Sequence, residues 1–239
     1  MIQTAVRLIY PPRCMGCGGL VDSDMGLCAH CWRDTPFISG TVCDACGAPL
    51  IGPSASHRIE CDDCMTTPRP WAQGRAVLLY RDRGRQLVLA LKHGDRTEIA
   101  SMAAPWMARS ARPMLTPSLL IAPVPLHRLR LAGRRYNQSA ILAQALADAT
   151  GMAVCPDLLQ RARATTSQDG KTADERFANL AGAITVHPRR RHRLAGRPVL
   201  LVDDVMTSGA TFAACTMACQ QAGAAEIFVL ALARVTKGN

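Results

Sequence analysis

The chain contains few aromatic side chains and very few lysines. Aromatic residues make up 4% of its 239 residues, and only 3 of its 28 basic residues are lysine. It has no apolar run long enough to cross a bilayer, and its first residues show neither the apolar centre nor the cleavage pattern of a signal peptide. We therefore expect a cytoplasmic protein with no membrane insertion. In that compartment the 11 cysteines are expected to bind metal rather than to form disulfides.

Charge is distributed unevenly along the sequence. Residues 1–70 hold 5 basic and 7 acidic side chains, whereas residues 71–239 hold 23 and 11. We predict two domains with this boundary, a cysteine-rich module over 1–70 and an α/β domain over 71–239. The basic surface then belongs to the second domain, which is where a nucleic acid, if one binds, would be expected to make contact. Four thiolates on each metal would make the first module more negative still, so we expect it to be structural or to dock a protein partner.

The cysteine-rich module contains four CxxC motifs. Each motif can place two thiolates on one metal ion, and two motifs complete a tetrahedral shell of four. Gly18 and Gly47 directly follow two of the motifs and can take the positive φ that folds a chain around a metal. We predict two structural Zn²⁺ ions bound by consecutive motifs, with interleaved pairing and an iron–sulfur cluster as the alternatives. The cysteines are Cys14, Cys17, Cys28, Cys31, Cys43, Cys46, Cys61 and Cys64.

The segment VLLVDDVMTSGAT, residues 199–211, is the most informative part of the second domain. Its apolar run predicts a strand buried on both faces of a parallel sheet. Asp203 and Asp204 follow at the carboxyl end of that strand, where open α/β sheets bind their ligands. Residues 207–211 are small and rich in hydroxyl groups, and they lead into a helical pattern whose free N–H groups suit a phosphate. Carboxylates beside a phosphate site fit a 5-phosphorylated ribose.

The rest of the second domain alternates between strand and helix patterns. Predicted strands cover 76–80, 118–126, 158–163 and 226–233; a turn at Gly84 leads into a helix that runs through 90–92, and further helices cover 97–111, 139–150 and 212–222. A basic turn follows the strand at 118–126, as a second anionic subsite would require. The fold class expected is α/β, a parallel sheet flanked by helices with the cysteine module at its N-terminal side.

The acidic pair and the loop after it resemble the signature of type I phosphoribosyltransferases, which bind phosphoribosyl pyrophosphate (PRPP) with Mg²⁺. The resemblance implies that Asp203 and Asp204 hold the ribose hydroxyls and have the catalytic role. It also implies that the 5-phosphate is bound by Thr207, Ser208, Gly209, Ala210 and Thr211. Thr207 replaces the carboxylate base of the members that act on 6-oxopurines, which disfavours that substrate class. A receiver domain also has an acidic pair, but it needs an aspartate on a later strand, and none follows Asp204.

The same resemblance implies a pyrophosphate-binding loop after the strand at 118–126 and a flexible loop that closes over the site. Arg135 stands where the family commonly has glycine in the first of these loops. The second loop would exclude water from a reactive sugar intermediate. Candidate residues for pyrophosphate or acceptor are His127, Arg134, Asn137, Gln168 and Arg176.

Taken together, the motifs of the chain resemble the ComF/GntX proteins along nearly its whole length. They are YPPRC at 10–14, the four CxxC pairs, VPLH at 124–127, RRYNQ at 134–138, the spacing of Ser167-Gln168, Arg176 and Asn179, and LLVDDVMTSGAT at 200–211. The resemblance implies a double zinc ribbon joined to a type I phosphoribosyltransferase fold, and a role in natural competence, DNA uptake and transformation, with other competence proteins as partners. It leaves three possibilities: an enzyme acting on PRPP, a non-catalytic protein that binds single-stranded DNA, and a PRPP-sensing regulator.

Overall fold

The computed structural model describes residues 10–22, 26–53, 57–126, 136–161 and 182–236. Helices in these ranges are α1 (Ala29–Arg33), α2 (Asp62–Thr66), α3 (Asp82–His93), α4 (Glu98–Ala111), α5 (Gln138–Thr150), α6 (Arg191–Leu194) and α7 (Ala210–Gln221). Strands are β1 (Gln73–Leu79), β2 (Leu120–Pro123), β3 (Ala153–Val154), β4 (Leu159–Arg161), β5 (Ile184–Val186), β6 (Pro198–Met206) and β7 (Glu226–Arg234). None of the helices in the described part of the chain combines the length and apolar character that a membrane span needs.

Five strands form one parallel sheet in the order β1-β7-β6-β2-β3, which confirms the α/β fold class. The central strands β6 and β7 pair in register from Pro198 with Glu226 to Met206 with Arg234. Their apolar runs are buried on both faces, as near-continuous Val, Leu, Ile and Ala sequences predict for parallel strands. The short strands β4 and β5 pair antiparallel in a separate sheet.

The two faces of the sheet pack against different parts of the chain. Along β6, Leu200 and Val202 face the helices α3, α4 and α5. Val199 and Leu201 face the other side, where α7 and the second pair of CxxC motifs supply the apolar partners. Strand alternation thus gives each face its own core. The second half of the cysteine-rich module is therefore part of the core that covers the sheet.

The cysteine-rich module also covers the free edge of β1. The Ile38 N–H donates to the Val77 carbonyl at 2.8 Å, and the Leu79 N–H donates to the Pro36 carbonyl at 2.9 Å. The Gly74 N–H donates to the Asp44 carbonyl at 2.8 Å in the same way. An uncovered edge strand would leave such groups open to pairing with another chain. The module therefore completes both a face and an edge of the sheet.

Several sequence predictions differ from the structure in detail. The strand predicted at 118–126 covers only residues 120–123. The predicted turn at Gly84 is wrong, because this residue lies inside α3. A Cβ at Gly84 would lie 2.4 Å from the Leu79 carbonyl oxygen, so glycine is required by the close packing of α3 on the end of β1. The β6 strand continues through Asp203 and Asp204 to Met206, because β7 is equally long and pairs with it as far as Met206 and Arg234. The strand predicted at 158–163 is shorter and lies outside the main sheet.

Candidate functional site

The eight CxxC cysteines form two separate clusters of four. One cluster contains the sulfur atoms of Cys14, Cys17, Cys28 and Cys31, and the other contains those of Cys43, Cys46, Cys61 and Cys64; within each, all ligand atoms lie within 4.8 Å of one another. Consecutive motifs therefore pair, and the interleaved arrangement is excluded. Gly18 and Gly47 take φ values of 76° and 73°, as predicted for turns that fold around a metal.

The spacing of the sulfur atoms fits zinc. A tetrahedral ion with Zn–S bonds of ~2.3 Å sets its sulfur atoms ~3.8 Å apart. The Cys17 and Cys28 sulfur atoms are 3.8 Å apart, and those of Cys46 and Cys61 are 3.7 Å apart. Backbone N–H groups also point at the sulfur atoms, for example Cys61 N–H at Cys43 Sγ, 3.3 Å. Both clusters are structural zinc sites, and we refer to them as the first and second zinc sites in chain order.

The two aspartates of the sequence motif lie at the carboxyl-terminal part of β6, each with a different partner. Asp203 Oδ1 accepts hydrogen bonds from the Ser139 hydroxyl at 2.7 Å and from the Asp204 N–H at 2.9 Å. Asp204 is 7% exposed, and its Oδ1 is 3.2 Å from Lys92 Nζ. The site therefore has a cation of its own beside the acidic pair, and the negative charge of Asp204 is compensated before any ligand binds.

Burial and the neighbouring charge of Asp204 raise the pKa of Asp203 to about 7, against an ordinary value of 3.8. The Ser139 hydroxyl and the Lys92 ammonium act in the opposite direction but do not outweigh these causes. Near neutral pH Asp203 can therefore hold a proton. A carboxyl group whose pKa is shifted to near neutrality is often found at binding and catalytic sites.

The end of α3, which carries Lys92, is held by one side chain from just before α5 and one from its first residue. The Gln138 side-chain amide donates to the Lys92 carbonyl at 3.3 Å, and the Tyr136 hydroxyl donates to the Leu91 carbonyl at 2.7 Å. Both donors satisfy carbonyls of the last turn of α3, which have no partner within the helix. Residues 136–138 of the sequence motif are in this way joined to Asp204 through Lys92.

The 207–211 loop connects β6 to α7. Gly209 has a φ of 83° and immediately precedes α7, whose first N–H groups have no partner within the helix. The Ser208 hydroxyl accepts from the Ala210 N–H at 3.4 Å, and the Ser208 carbonyl accepts from Arg69 Nη1 at 2.8 Å. A 12-residue helix with a short turn at its start suits an anion. The loop begins three residues after Asp204, where β6 ends, so the carboxylates and the N–H donors lie near the carboxyl-terminal end of the same central strand.

The other candidate site residues have different outcomes. Asn137 caps α5, because its Oδ1 accepts from the Ser139 N–H at 3.1 Å and its Nδ2 donates to the Val124 carbonyl at 3.1 Å. This contact places Ser139 beside Asp203, and a direct role of Asn137 in ligand binding stays a prediction. His127, Arg134, Gln168 and Arg176 lie outside the described residues.

Sequence reasoning missed four side chains that surround the site, namely Lys92, Ser139, Arg69 and Arg234. Ser139 directly follows the RRYNQ motif at 134–138. Its position at the start of a predicted helix could therefore have indicated that it lies near the site. Lys92 ends a predicted helix, but nothing in the pattern pairs it with Asp204. Arg69 lies in the linker before β1, and Arg234 lies at the end of β7. From sequence alone, a basic residue in such a position is usually predicted to be solvent-exposed. Their contacts depend on the packing of distant segments.

The raised pKa of Asp203 predicts a specific pH dependence of stability. Between about pH 4 and pH 7 the folded state holds more protons on this group than the unfolded state, so the free energy of unfolding falls as pH rises. Asp203→Asn keeps an oxygen acceptor for Ser139 but removes this titration. We therefore expect the variant to be stabilised relative to the wild type by more at pH 8 than at pH 5, measured by urea unfolding.

Asp157→Asn serves as the control for that measurement. Partial burial raises the pKa of Asp157, but the Arg190 guanidinium lowers it further, so the net value lies below the ordinary one. Its substitution should shift stability equally at both pH values. Taking differences from the wild type also cancels the pH dependence of the metal sites. An Asp203→Asn effect that is the same at pH 5 and pH 8 would contradict the proposed titration.

Comparison with known proteins gives relatives along nearly the full chain. A model of the double zinc ribbon domain matches residues 5–65. The DNA utilization protein YhgH of Salmonella typhimurium is 32% identical over 234 residues, covering 95% of this chain and 99% of that protein. Competence protein F of Haemophilus influenzae is 28% identical, covering 93% and 96%. Among solved structures, the allosteric regulatory enzyme of purine biosynthesis is similar with 17% identity and a TM-score of 0.41, over 61% of this chain and 30% of that one.

The similarity at 32% identity extends over 95% of the chain and so includes both of its parts. It spans the double zinc ribbon, with its paired cysteine motifs, and the parallel α/β sheet whose strand β6 carries Asp203 and Asp204. The chain belongs to the ComF/GntX family of competence and DNA utilization proteins, and in it a double zinc ribbon precedes a parallel α/β domain.

Proposed function

We propose that this protein binds PRPP with Mg²⁺ at the carboxyl-terminal end of the central strand β6. We further propose that it acts in natural competence and DNA uptake. The observation that carries the proposal is the juxtaposition of an acidic pair with the 207–211 loop. Asp203 and Asp204 supply acceptors for two neighbouring hydroxyls, and the start of α7 supplies N–H donors for a phosphate. A 5-phosphorylated ribose carries both kinds of group on one small ring.

Lys92 supports the same assignment. Two adjacent carboxylates repel an anionic ligand unless cations offset them, and the Lys92 ammonium lies 3.2 Å from Asp204. Mg²⁺ prefers oxygen ligands and is usually held by one or two carboxylates together with substrate phosphates. Asp203 and Asp204 fit that donor set. When bound, Mg²⁺ would supply positive charge that neutralises the diphosphate of PRPP.

If the protein is catalytic, the reaction is displacement of pyrophosphate at the anomeric carbon of ribose by an acceptor nucleophile. Asp203 and Asp204 would then hold the ring through its hydroxyls while the C1–O bond breaks and the new bond forms. Lys92 would offset charge in the acidic pair. The competence role comes from the names of the relatives, DNA utilization protein and competence protein F.

The decisive experiment is calorimetric titration of the zinc-replete, full-length protein with PRPP and Mg²⁺, followed by pyrophosphate release with a panel of nucleobases. Binding with release supports a phosphoribosyltransferase. Binding without release, together with a change in affinity for single-stranded oligonucleotides, supports a PRPP-sensing regulator. Salt-dependent oligonucleotide binding without any affinity for PRPP would overturn the proposal and support the non-catalytic DNA-binding alternative.

A further inference from the structure

Two arginines hold the carbonyl groups of the 207–211 loop. Arg69 Nη1 donates to the Ser208 carbonyl at 2.8 Å. Arg234 donates from Nη1 to the Thr207 carbonyl, and from the same nitrogen to the Met206 carbonyl at 3.2 Å. Arg234 is only 4% exposed, at the end of β7. The consecutive carbonyls of Thr207 and Ser208 therefore each accept a hydrogen bond from a guanidinium group.

This arrangement decides where the N–H groups of the loop point. In a trans peptide, a carbonyl and the N–H that follows it point in opposite directions, and the described residues contain no cis peptide. Fixing the carbonyls of Thr207 and Ser208 toward the arginines directs the N–H groups of Ser208 and Gly209 to the opposite side. Two N–H groups aimed the same way form the kind of concave site that binds an anion.

Arg69 also contacts the second zinc site. Its Nε donates to Cys64 Sγ at 3.3 Å, so one guanidinium joins a zinc ligand to the Ser208 carbonyl. A thiolate bound to zinc carries negative charge, which makes this a charge-assisted hydrogen bond. The contact leaves little freedom for the arginine, because its position is set by a residue that the metal itself holds.

Trp71 reinforces the same link between the second zinc site and the loop. Its indole N–H donates to the Ala45 carbonyl, inside the Cys43–Cys46 knuckle, at 2.5 Å. The Arg69 guanidinium lies over its ring at 6.0 Å from the centroid. A Cβ at Gly209 would lie 3.0 Å from the same ring, so the loop packs directly on the tryptophan. The second zinc site thus supports the loop through both a hydrogen bond and a packed ring.

We propose that Arg69 is a positioning residue of the phosphate site and that it couples the second zinc site to the binding of a phosphate monoester by the 207–211 loop. The inference rests on the proposed function, because it takes the loop as the phosphate site of a sugar phosphate. It goes further in giving the second zinc a role in ligand binding. The first zinc site offers the matched comparison, since Arg83, one of the arginines next to it, donates to the Gly16 carbonyl and belongs to α3.

The test uses Arg69→Met, which keeps the aliphatic stem and removes both hydrogen bonds, with Arg83→Met as the matched control at the first site. The probe is ribose 5-phosphate with the full-length protein. We expect its affinity to fall by about 10-fold in Arg69→Met, as loss of a hydrogen bond from a charged group implies, and to be unchanged in Arg83→Met. Both variants should keep two zinc ions per chain. Equal affinity in the two variants would overturn the proposal.

A spectroscopic measurement separates positioning from a general structural effect. Protein loaded with ¹¹³Cd²⁺ in place of zinc at both sites should give two sets of resonances, and ribose 5-phosphate should shift those of the second site. Binding at the loop is expected to change the hydrogen bond between Arg69 and Cys64, to which the resonance of the second site is sensitive. In Arg69→Met the shift should be lost, and Arg69→Lys, which restores the charge, should recover part of it. A ligand-induced shift that persists in Arg69→Met contradicts the coupling.

Hydrogen exchange distinguishes failure of this inference from failure of the proposed function. Without any ligand, amide protection of the peptide that contains 207–211 should fall in Arg69→Met and stay at the wild-type level in Arg83→Met. If the wild type binds no sugar phosphate, the proposed function fails, and reduced protection still supports the structural coupling. Unchanged protection in Arg69→Met overturns the inference whatever the protein binds.

Discussion

Replacing Asp204 with asparagine is expected to weaken the binding of PRPP with Mg²⁺ by about 100-fold. A hydrogen bond to a charged acceptor contributes ~1.5–3 kcal/mol, and loss of about 2.7 kcal/mol corresponds to 100-fold in affinity. The Asp204→Asn side chain would lack the negative charge that the ribose hydroxyls and Lys92 both contact in the proposed complex. The measurement is calorimetric titration of both proteins at one salt concentration and at pH 8, where Asp203 is mainly ionised.

Asp157→Asn is the matched control for this substitution. Asp157 also forms an ion pair, with Arg190 at 2.8 Å, but its side chain is 52% exposed. This variant should bind PRPP with the affinity of the wild type. Circular dichroism and zinc content establish that Asp204→Asn is folded. A folded Asp204→Asn protein with wild-type affinity would show that this carboxylate does not bind the ligand.

The second large effect concerns the metal sites, which we expect to contribute unequally to stability. Cys46→Ser should lower the melting temperature by at least about 10 °C, equivalent to roughly 4 kcal/mol for a protein of this size. Cys46 is fully buried in the core that also contains Trp71 and Phe212, whose rings meet edge to face at 6.1 Å. Loss of the second metal therefore removes one face of the sheet's core together with the ribbon.

Cys17→Ser gives the comparison at the first site. Cys17 is exposed, and loss of its metal should release only the first ribbon, with a smaller fall in the melting temperature of the sheet. Elemental analysis should find two zinc ions per chain in the wild type and one in each variant. Thermal unfolding followed by circular dichroism measures the stability difference. Equal loss of stability in the two variants would show that the packing of the second site on the sheet does not add to the stability of the protein.

The integration of the second ribbon also decides how the DNA-binding hypothesis should be tested. Deleting residues 1–70 would uncover one face of the sheet in the basic domain. The core on that face would lose Cys43, Ala45, Cys46 and Cys64. A truncated protein would therefore confound loss of binding with loss of folding. Charge substitutions on the surface of residues 71–239, in the full-length chain, test the charge argument without that difficulty.

Several properties of this protein follow from short stretches of its sequence. The CxxC spacing predicts four-cysteine metal sites because the two thiolates of each motif reach one ion. The run at 199–202 predicts a strand buried on both faces, and the acidic pair with the small loop after it predicts a ligand site at the end of that strand. These signals are local, because the residues that create each feature lie close together in the chain.

The partners of these residues were decided only by the tertiary structure. Ser139 meets Asp203 across 64 positions, and Arg69 meets Ser208 across 139. Whether the cysteine motifs pair consecutively, and which of the two sites lies in the core, likewise depends on how the ribbons pack on the sheet. Such contacts cannot be predicted from sequence periodicity. They arise because the fold brings together the ends of β6 and α3, the start of α5 and the linker around Arg69. The sequence by itself determined which chemical groups the site contains, and the packing of distant segments determined their charges, orientations and support.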